Sequence, residues 1–221
     1  MDGLLMRKLA VNSLIVAAIV LAATVARDAA AADGVVPHDP SALHATMLAS
    51  NACSKCHGDT GVSISPLFPN LAAQQTSYIE AQLKLFRQRG RSDPHARAFM
   101  WGIAQALSDD QIEGLAQYFA SQPPARGMVP SNPALAEKGK LIYENGVPER
   151  GVIACSTCHG PNAEGQGDNT FPRLAGQHRD YLVLQLQYFR GLLRENAIMQ
   201  GVAANLADDE IASVAEYLAS K

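Results

Sequence analysis

Apolar residues recur at the spacing of an α-helix in two stretches of the first half of this 221-residue chain. Within residues 78–89 they stand at i, i+4 and i+7, as Ile79, Leu83 and Phe86. A second helix is predicted after Ser108, which forms a capping box with Gln111. The apolar face of that helix comprises Ile112, Leu115, Ala116 and Phe119. No segment shows the period-two alternation of a half-buried strand, so the pattern predicts an all-α fold.

The same pattern returns about one hundred residues later, which indicates a tandem duplication. With a shift of 103, Phe-Pro-Asn-Leu-Ala at 68–72 aligns with Phe-Pro-Arg-Leu-Ala at 171–175. After a short deletion the shift becomes 99. The repeated apolar faces are Leu182, Leu186 and Phe189, and then Ile211, Val214, Ala215 and Leu218. Residues 41–51 and 133–143 are predicted as the first helix of each half.

Four of the twelve prolines fall within residues 123–133. Proline cannot extend a helix, so this segment is predicted to be an extended linker. The predicted organisation is a first domain over residues 33–122, the linker over 123–133 and a second domain over 134–221. Each half has about ninety residues, which is small for a fold stabilised by an apolar core alone.

The N-terminus has the pattern of a secretory signal peptide. Arg7 and Lys8 precede an apolar stretch at residues 9–26, and three alanines at 30–32 provide a cleavage site. Residues 1–32 are therefore predicted to be removed on export to the periplasm. The alternative is an uncleaved membrane anchor, because the apolar stretch is close to spanning length. No second apolar run follows residue 32, so the remaining chain is expected to be soluble.

The four cysteines of the chain lie in two identical Cys-x-x-Cys-His frames. The frames are Cys53, Cys56 and His57, and Cys155, Cys158 and His159. Two thiols at this spacing on one helical turn can add to the two vinyl groups of a haem, and the adjacent imidazole then binds the iron. The motifs therefore predict two covalently bound haem c groups, each with iron. A buried porphyrin would supply much of the core that each small domain lacks.

Three other readings of the cysteines are weaker. A structural zinc site would not need a histidine directly after each pair. A thioredoxin-type redox pair would be expected once and near a βαβ pattern. Two structural disulfides would suit an exported protein but would leave the repeated histidine as a coincidence.

Each iron needs a ligand on its second axial side, where thioether sulfur and imidazole are the usual candidates. After residue 32 the methionines are Met47, Met100, Met128 and Met199. Only Met100 and Met199 are equivalent in the repeat, and they follow His57 and His159 by 43 and 40 residues. These two are therefore the predicted axial methionines. His95 lies near Met100 and is kept as an alternative ligand of the first haem.

The other histidines are not expected to bind iron. His38 and His44 precede the first motif and are expected to face solvent. His178 aligns with Gln75 and is expected at the surface or near a propionate.

Two further sets of repeated residues are candidates for contacts around each haem. The carbonyls of Pro69 and Pro172 can accept the N–H of the proximal imidazole, which would fix the orientation of the ring. A repeated tyrosine and a repeated arginine in each half could bind the haem propionates through their hydroxyl and guanidinium groups. These residues are Tyr78, Arg87, Tyr181 and Arg190. The alternatives are a simple turn for the prolines and a surface or core-edge position for the tyrosines and arginines.

The charge of the chain argues against nucleic acid as a partner. Residues 33–221 contain 15 Lys and Arg and 19 Asp and Glu, a net charge of −4, with no visible basic patch. This balance is compatible with a basic or mixed-charge redox partner protein.

Taken together, these motifs resemble the dihaem cytochrome c4 family. The features that carry the resemblance are two Cys-x-x-Cys-His halves, each with an F-P-x-L-A segment, a Q-x-x-x-Y segment, an amphipathic helix and a late Met before a Tyr-containing terminal helix. The resemblance covers nearly all of the chain after residue 32. It implies two class I cytochrome c domains with facing haems and the axial pairs His57 with Met100 and His159 with Met199. In this chain, Leu-Ala-Ala-Gln at 71–74 replaces the Leu-Ala-Gly-Gln of the second half, and a loop at 145–153 is added.

The function implied by the resemblance is that of an electron carrier rather than an enzyme, working between respiratory complexes and a terminal oxidase or another acceptor. A first alternative is the dihaem subunit of a dehydrogenase, such as a flavin-dependent sulfide-oxidising enzyme. A second is a dihaem peroxidase, which would need an open iron site; the paired Met100 and Met199 argue against it. Membrane association is expected only if the N-terminal segment is retained.

Overall fold

The computed structural model describes residues 40–166 and 171–221, and it is helical throughout these ranges. The predicted signal peptide and His38 lie outside the described residues. Within the described ranges the backbone forms no strand, only two isolated β-bridges, Val147 with Val152 and Gln166 with Phe171. The all-α prediction is confirmed. No helix in these ranges is long and apolar enough to cross a membrane.

The first half contains five α-helices. They are α1 (Pro40–Leu48), α2 (Ser54–His57), α3 (Thr76–Arg87), α4 (Trp101–Gln105) and α5 (Asp109–Ala120). π-helical turns join α1 to α2 over Ala49–Cys53 and precede α4 over Ala96–Met100. The haem-attachment motif is thus the direct continuation of α1.

The second half repeats this order. Its helices are α6 (Pro133–Asn145), α7 (Ser156–His159), α8 (Arg179–Arg190), α9 (Ala197–Ala204) and α10 (Asp208–Ala219). Pro133 is the first residue of α6, so the helix begins inside the segment predicted as linker. The predicted extra loop closes with the bridge between Val147 and Val152 around a 3₁₀ turn at Pro148–Arg150.

The predicted apolar faces form the core of each half. In α5 all four predicted residues are buried, and so are all four in α10. In α3 and α8 the first and last residues of each face are buried, namely Ile79, Phe86, Leu182 and Phe189. The aromatic rings of Phe119 and Tyr143 fill the two cores, at 2% and 0% exposure.

The terminal helix of the second half packs tightly on its first helix. At Gly139 in α6 a Cβ would lie 1.9 Å from the carbonyl oxygen of Ser213 in α10, so only glycine allows this approach. The linker then runs over the end of α10, where the N–H of Met128 donates to the carbonyl of Ala219 (2.8 Å). Both halves belong to one compact unit.

Candidate haem sites

The two cysteine pairs lie at the start of short helices, and all four side chains are half-buried. Burial raises the pKa of Cys53, and it raises the pKa of Cys155 to about 11. Each pair faces the interior of its own half, where Cys53 and Cys155 pack against the apolar core.

The two candidate proximal histidines are the last residues of α2 and α7, and each is only 7% exposed. The Nδ1 of His57 lies 2.9 Å from the carbonyl oxygen of Pro69, and the Nδ1 of His159 lies 3.0 Å from that of Pro172. A carbonyl oxygen can only accept, so Nδ1 carries the proton and Nε2 keeps its lone pair for a metal. Burial lowers the pKa of both imidazoles, and the bond to the proline carbonyl opposes this only in part.

A single cavity of about 990 Å³ contains residues of both motifs. His57 and Met100 line it in the first half, and His159 and Met199 line it in the second. Most of the remaining lining residues are apolar, with leucine and phenylalanine the most frequent. An apolar cavity with a few convergent polar groups suits a large flat cofactor that is apolar over its face and polar at one edge.

The two methionines reach the cavity from different local structures. Met100 ends the π-helical turn that precedes α4. Met199 lies in the first turn of α9, where its N–H donates to the side-chain oxygen of the N-cap residue Asn196 (3.0 Å). Met100 follows Asp93, the residue that begins its segment, by seven positions, whereas Met199 follows its N-cap residue Asn196 by three. The segment of the first half is therefore four residues longer. In the first half the extra residues belong to a longer helical segment that contains the π-helical turn.

The other candidate methionines and histidines are placed elsewhere or have other partners. Met47 and Met128 are 55% and 61% exposed and do not line the cavity, and His44 is exposed. His95 does line the cavity, but its Nδ1 lies 2.7 Å from the hydroxyl of Tyr188 in the other half.

His178 was expected at the surface or near a propionate. Its Nε2 instead lies 2.9 Å from the carbonyl oxygen of Ser63, so His178 links the two halves. The expectation was wrong because the surface of one half is covered by the other, which a single repeat does not reveal.

Arg87 and Arg190, expected to bind propionates, do not line the cavity and have other partners in this structure. Arg87 donates to the carbonyl of Leu107 (2.9 Å) and to the carboxylate of Asp109 (2.5 Å). Arg190 makes the equivalent bonds to Leu206 (3.3 Å) and Asp208 (2.7 Å). Both guanidiniums are held by the start of the terminal helix of their own half. The predicted Tyr78 and Tyr181 do line the cavity.

Two arginines that the sequence analysis missed occupy the cavity instead. Arg91 and Arg194 line it and are each only 7% exposed. They stand 103 residues apart, in the same register as Arg87 and Arg190, so the repeat carried a signal for them. Each guanidinium lies over a phenylalanine ring of its own half, Phe86 at 4.8 Å and Phe189 at 4.6 Å from the ring centroids.

Each of these arginines also reaches across to the other half. Arg91 donates to Gln82 of its own half (2.9 Å) and to Gln185 of the other (2.8 Å). Arg194 donates to Gln185 of its own half (2.7 Å) and to Tyr78 of the other (2.8 Å). The two guanidiniums therefore meet at the junction of the halves.

This junction contains more positive than negative charge. The fully buried carboxylate of Asp93 pairs with Arg91 (2.7 Å), and Arg194 has no carboxylate partner among the described residues. Burial alone would raise the pKa of Tyr78, but the Arg194 and Arg91 guanidiniums hold it below its ordinary value. The Nε2 of Gln185, also buried here, has no hydrogen-bond partner among the described residues. A buried excess cation and an unpaired donor fit the carboxylate groups of haem.

Comparison with known proteins agrees with this geometry. The sequence model of the cytochrome c family matches residues 45–123 and 136–221. A cytochrome c4 of Thiocapsa roseopersicina is 45% identical over 184 residues, covering 81% of this chain and 91% of the relative. The solved structure of Acidithiobacillus ferrooxidans cytochrome c4 is 40% identical with a TM-score of 0.73, covering 76% of this chain and 98% of that one. A thiosulfate dehydrogenase electron acceptor of Stutzerimonas stutzeri A1501 is 36% identical over 177 residues, with coverages of 78% and 80%.

The helical fold, the two family matches and the two attachment motifs define a pair of tandem class I cytochrome c domains, each with one covalently bound haem c. The chain belongs to the dihaem cytochrome c4 family. It is accordingly a dihaem electron-transfer cytochrome.

Proposed function

We propose that both haems have His/Met axial ligands, His57 with Met100 and His159 with Met199, and that the protein is an electron carrier rather than an enzyme. The observation that carries this proposal is the single cavity that brings both histidines and both methionines together. Bound haem supplies a one-electron Fe(III)/Fe(II) couple, and methionine ligation raises its potential. With both axial sides occupied by side chains, neither iron offers a site for peroxide, which argues against the peroxidase alternative.

The residues around each haem have separate tasks. The carbonyls of Pro69 and Pro172 hold the proximal imidazoles in orientation through Nδ1. Arg91 and Arg194, with Tyr78 and Tyr181, bind the propionates, in place of the surface-paired Arg87 and Arg190. Because Arg91 and Arg194 each bond to both halves, they would hold the propionates from the junction of the halves.

The cellular role follows from the export signal and from the family. We place the carrier in the periplasm, where it passes single electrons between respiratory complexes and a terminal oxidase or another acceptor. A second candidate is service to a dehydrogenase of inorganic sulfur compounds, which the likeness to a thiosulfate dehydrogenase electron acceptor supports. Reduction of the purified protein by a thiosulfate dehydrogenase in the presence of thiosulfate would distinguish this candidate, since a carrier serving only respiratory complexes would stay oxidised.

The test of the axial ligands is the optical spectrum of the oxidised protein purified after export. Haem is quantified per chain, and the far-red charge-transfer band of methionine-ligated ferric haem is integrated. We expect two haems and a full-strength band from both. Two haems with half the band, or none, would remove at least one methionine assignment and would reopen His95 and the peroxidase alternative.

A further inference from the structure

One surface of the first half carries two exposed arginines stacked on the same aromatic ring. The guanidinium carbons of Arg89 and Arg97 lie 5.5 and 5.7 Å from the ring centroid of Trp101. The Nε1–H of Trp101 donates to the backbone carbonyl of Arg91 (2.7 Å), which fixes the indole in place. We call Arg89, Arg97 and Trp101 the arginine–tryptophan patch.

The charges of this patch are not neutralised within the described part of the chain. No carboxylate there forms an ion pair with Arg89 or Arg97, and the best polar contact of Arg89 is Gln105 at 3.5 Å. Four other surface arginines do have carboxylate partners, whereas the exposed Arg126 has none among the described residues. The four with partners are Arg87, Arg150, Arg179 and Arg190. Stacking on the indole holds the two guanidiniums in place and leaves their outward N–H groups available for another molecule.

The patch lies at the rim of the first haem cavity. Trp101 directly follows Met100, and the neighbouring Phe99 and Ile103 both line the cavity and are 45% and 43% exposed. An exposed apolar centre with charged arginines beside it has the composition of a protein–protein contact surface. A partner seated here would approach the haem through Phe99 and Ile103.

Among the described residues of the second half there is no such patch. Leucine at 192 takes the place of Arg89, and both residues have the same left-handed backbone conformation, with φ of 58° and 59°. The segment that contains Arg97 is four residues shorter in the second half. The exposed side chains there are apolar, with Leu192, Leu193 and Ile198 at 69%, 47% and 56% exposure. The two halves therefore differ at this position, with a charged surface in the first half and an apolar surface in the second.

We propose that the arginine–tryptophan patch binds the carboxylate-rich face of a redox partner protein, and that the first haem exchanges electrons with that partner. This inference rests on the proposed electron-carrier function. One electron passes between the partner's redox centre and the first haem, so that one iron or partner centre is oxidised as the other is reduced, without transfer of a proton or an atom. Although the chain as a whole is acidic, the local field of two unpaired arginines attracts an acidic face and speeds its encounter.

The binding test uses the complete ferrous holoprotein, labelled with ¹⁵N, and the redox-inactive trianion hexacyanochromate(III) as a paramagnetic probe. The chain has a single tryptophan, so the indole N–H of Trp101 gives one assignable signal inside the patch. We expect the probe to broaden this signal selectively at low ionic strength. The broadening should be lost in the Arg89→Leu, Arg97→Ala double variant. Equal broadening in wild type and double variant, or none in wild type, would overturn the proposal.

Matched single variants separate the patch from overall charge. Arg89→Leu copies the residue that the second half has at the same backbone conformation, and Arg126→Leu makes the same change at an exposed linker arginine. Oxidation of the reduced protein by ferricyanide should have a fast phase that slows about three-fold or more in Arg89→Leu but not in Arg126→Leu. The difference should vanish at high salt, because exposed charges are screened.

The outcomes also separate this proposal from the proposed function. If the optical spectrum shows two His/Met haems and Arg89→Leu reacts like Arg126→Leu, only the docking surface is wrong. If the spectrum itself lacks the methionine band, the axial assignment fails independently of the patch.

Discussion

At the scale of single residues, the two methionines proposed as axial ligands stand in different local structures. Met100 stands at the end of a π-helical turn and Met199 in the first turn of an α-helix, yet both line the same cavity. The start of each segment is held by a short polar residue. Asp93 accepts the N–H of Ala96 (3.1 Å), and Asn196 accepts the N–H of Met199 (3.0 Å). The two segments differ in length, but each begins with a side-chain oxygen that accepts a backbone N–H and each contains a methionine that lines the cavity.

Met100→Ala and Met199→Ala should each alter one haem and leave the other intact. Loss of the thioether leaves that iron weakly ligated or high-spin, with about half of the far-red band and a potential lower by roughly 0.1 V or more. Both haems stay attached, because the cysteine thioethers and not the axial bond retain them. Optical spectra with haem counts, and potentiometric titration, measure these effects. Met47→Ala is the control, and a Met199→Ala protein with an undiminished band would contradict the assignment.

Some site residues could be predicted from sequence and others could not, for physical reasons. A covalent motif such as Cys-x-x-Cys-His requires its residues at set spacing, so Cys53 and His57 are visible in the sequence alone. The partner of an arginine depends on which groups the fold brings near it. Arg87 and Arg91 both have an arginine at the equivalent position of the second half. In the structure Arg87 binds Asp109, whereas Arg91 lies at the junction of the halves and donates to Gln185.

At the scale of elements, the two terminal helices differ in one capping atom. The hydroxyl of Ser108 accepts the N–H of Gln111 (3.2 Å), and the side chain of Gln111 accepts the N–H of Ser108 (2.9 Å). In the second half Ala207 stands at the N-cap, so only the reciprocal bond from its N–H to Glu210 (2.8 Å) is present.

This difference predicts opposite effects of two matched substitutions. Ser108→Ala should lower the free energy of unfolding by about 1 kcal/mol, since it removes a cap acceptor. Ala207→Ser should raise it by up to about 1 kcal/mol, since it completes the box. Denaturant unfolding followed by far-UV circular dichroism measures both. A loss of stability in Ala207→Ser would show that the serine hydroxyl does not reach the N–H of Glu210.

Glu216 ties the terminal helix α10 to the start of α6. Its carboxylate accepts the Ser131 hydroxyl (2.8 Å) and the Asn132 N–H (3.1 Å), and it forms an ion pair with Arg179 (2.9 Å). Burial by itself would raise the pKa of Glu216, but these hydrogen bonds and the neighbouring guanidinium lower it below its ordinary value.

A lowered carboxyl pKa gives stability that is present above the ordinary glutamate range and is lost as the pH falls through the folded-state pKa. Glu216→Gln should therefore reduce the free energy of unfolding at pH 7 by about 1–3 kcal/mol. The difference in the free energy of unfolding between Glu216→Gln and wild type should become smaller at about pH 3.5, because the carboxyl of the unfolded chain is already protonated there. Urea unfolding at the two pH values measures this. A difference that stays constant would mean that Glu216 acts through packing and not through its charge.

The helix that follows Met100 and the helix that contains Met199 were not predicted, and their composition explains why. The segments at 101–105 and 197–204 are short and contain glycine, and they have no full apolar period to compare with a helix template. By contrast, α5 and α10 have a complete apolar face of four residues, which is why their core residues were predicted correctly.

At the scale of the whole molecule, duplication has produced a junction with approximate two-fold symmetry. The side chain of Gln74 donates to the carbonyl of Arg173 (2.9 Å) and accepts its N–H (2.8 Å). The side chain of Gln177 makes the same two bonds to Asn70, at 3.0 and 2.8 Å. Each half thus offers the same glutamine to the same backbone position of the other, as in a symmetric dimer interface. A single repeat shows the glutamine but not its partner, so this junction was beyond sequence analysis.

The crossed glutamines should hold the two domains together cooperatively. Gln74→Ala and Gln177→Ala each remove two buried bonds and leave backbone groups unpaired, so each should lower the free energy of unfolding by about 1–3 kcal/mol. Because either loss loosens the same junction, the double variant should fall short of the sum by about 0.5 kcal/mol or more. Gln117→Ala, a surface change within α5, is the control and should stay within about 0.5 kcal/mol of wild type.

The measurement is guanidinium unfolding of the wild type, the two single glutamine variants, the double variant and the control, followed by haem absorbance. Strict additivity of the two glutamine substitutions would mean that each glutamine stabilises only its own contact. Sub-additive losses would instead show that the junction opens as one unit. In that case the buried Arg91 and Arg194, which bridge the same two halves, lose their geometry together when the domains separate. The link between the two haem environments then depends on the junction rather than on either domain alone.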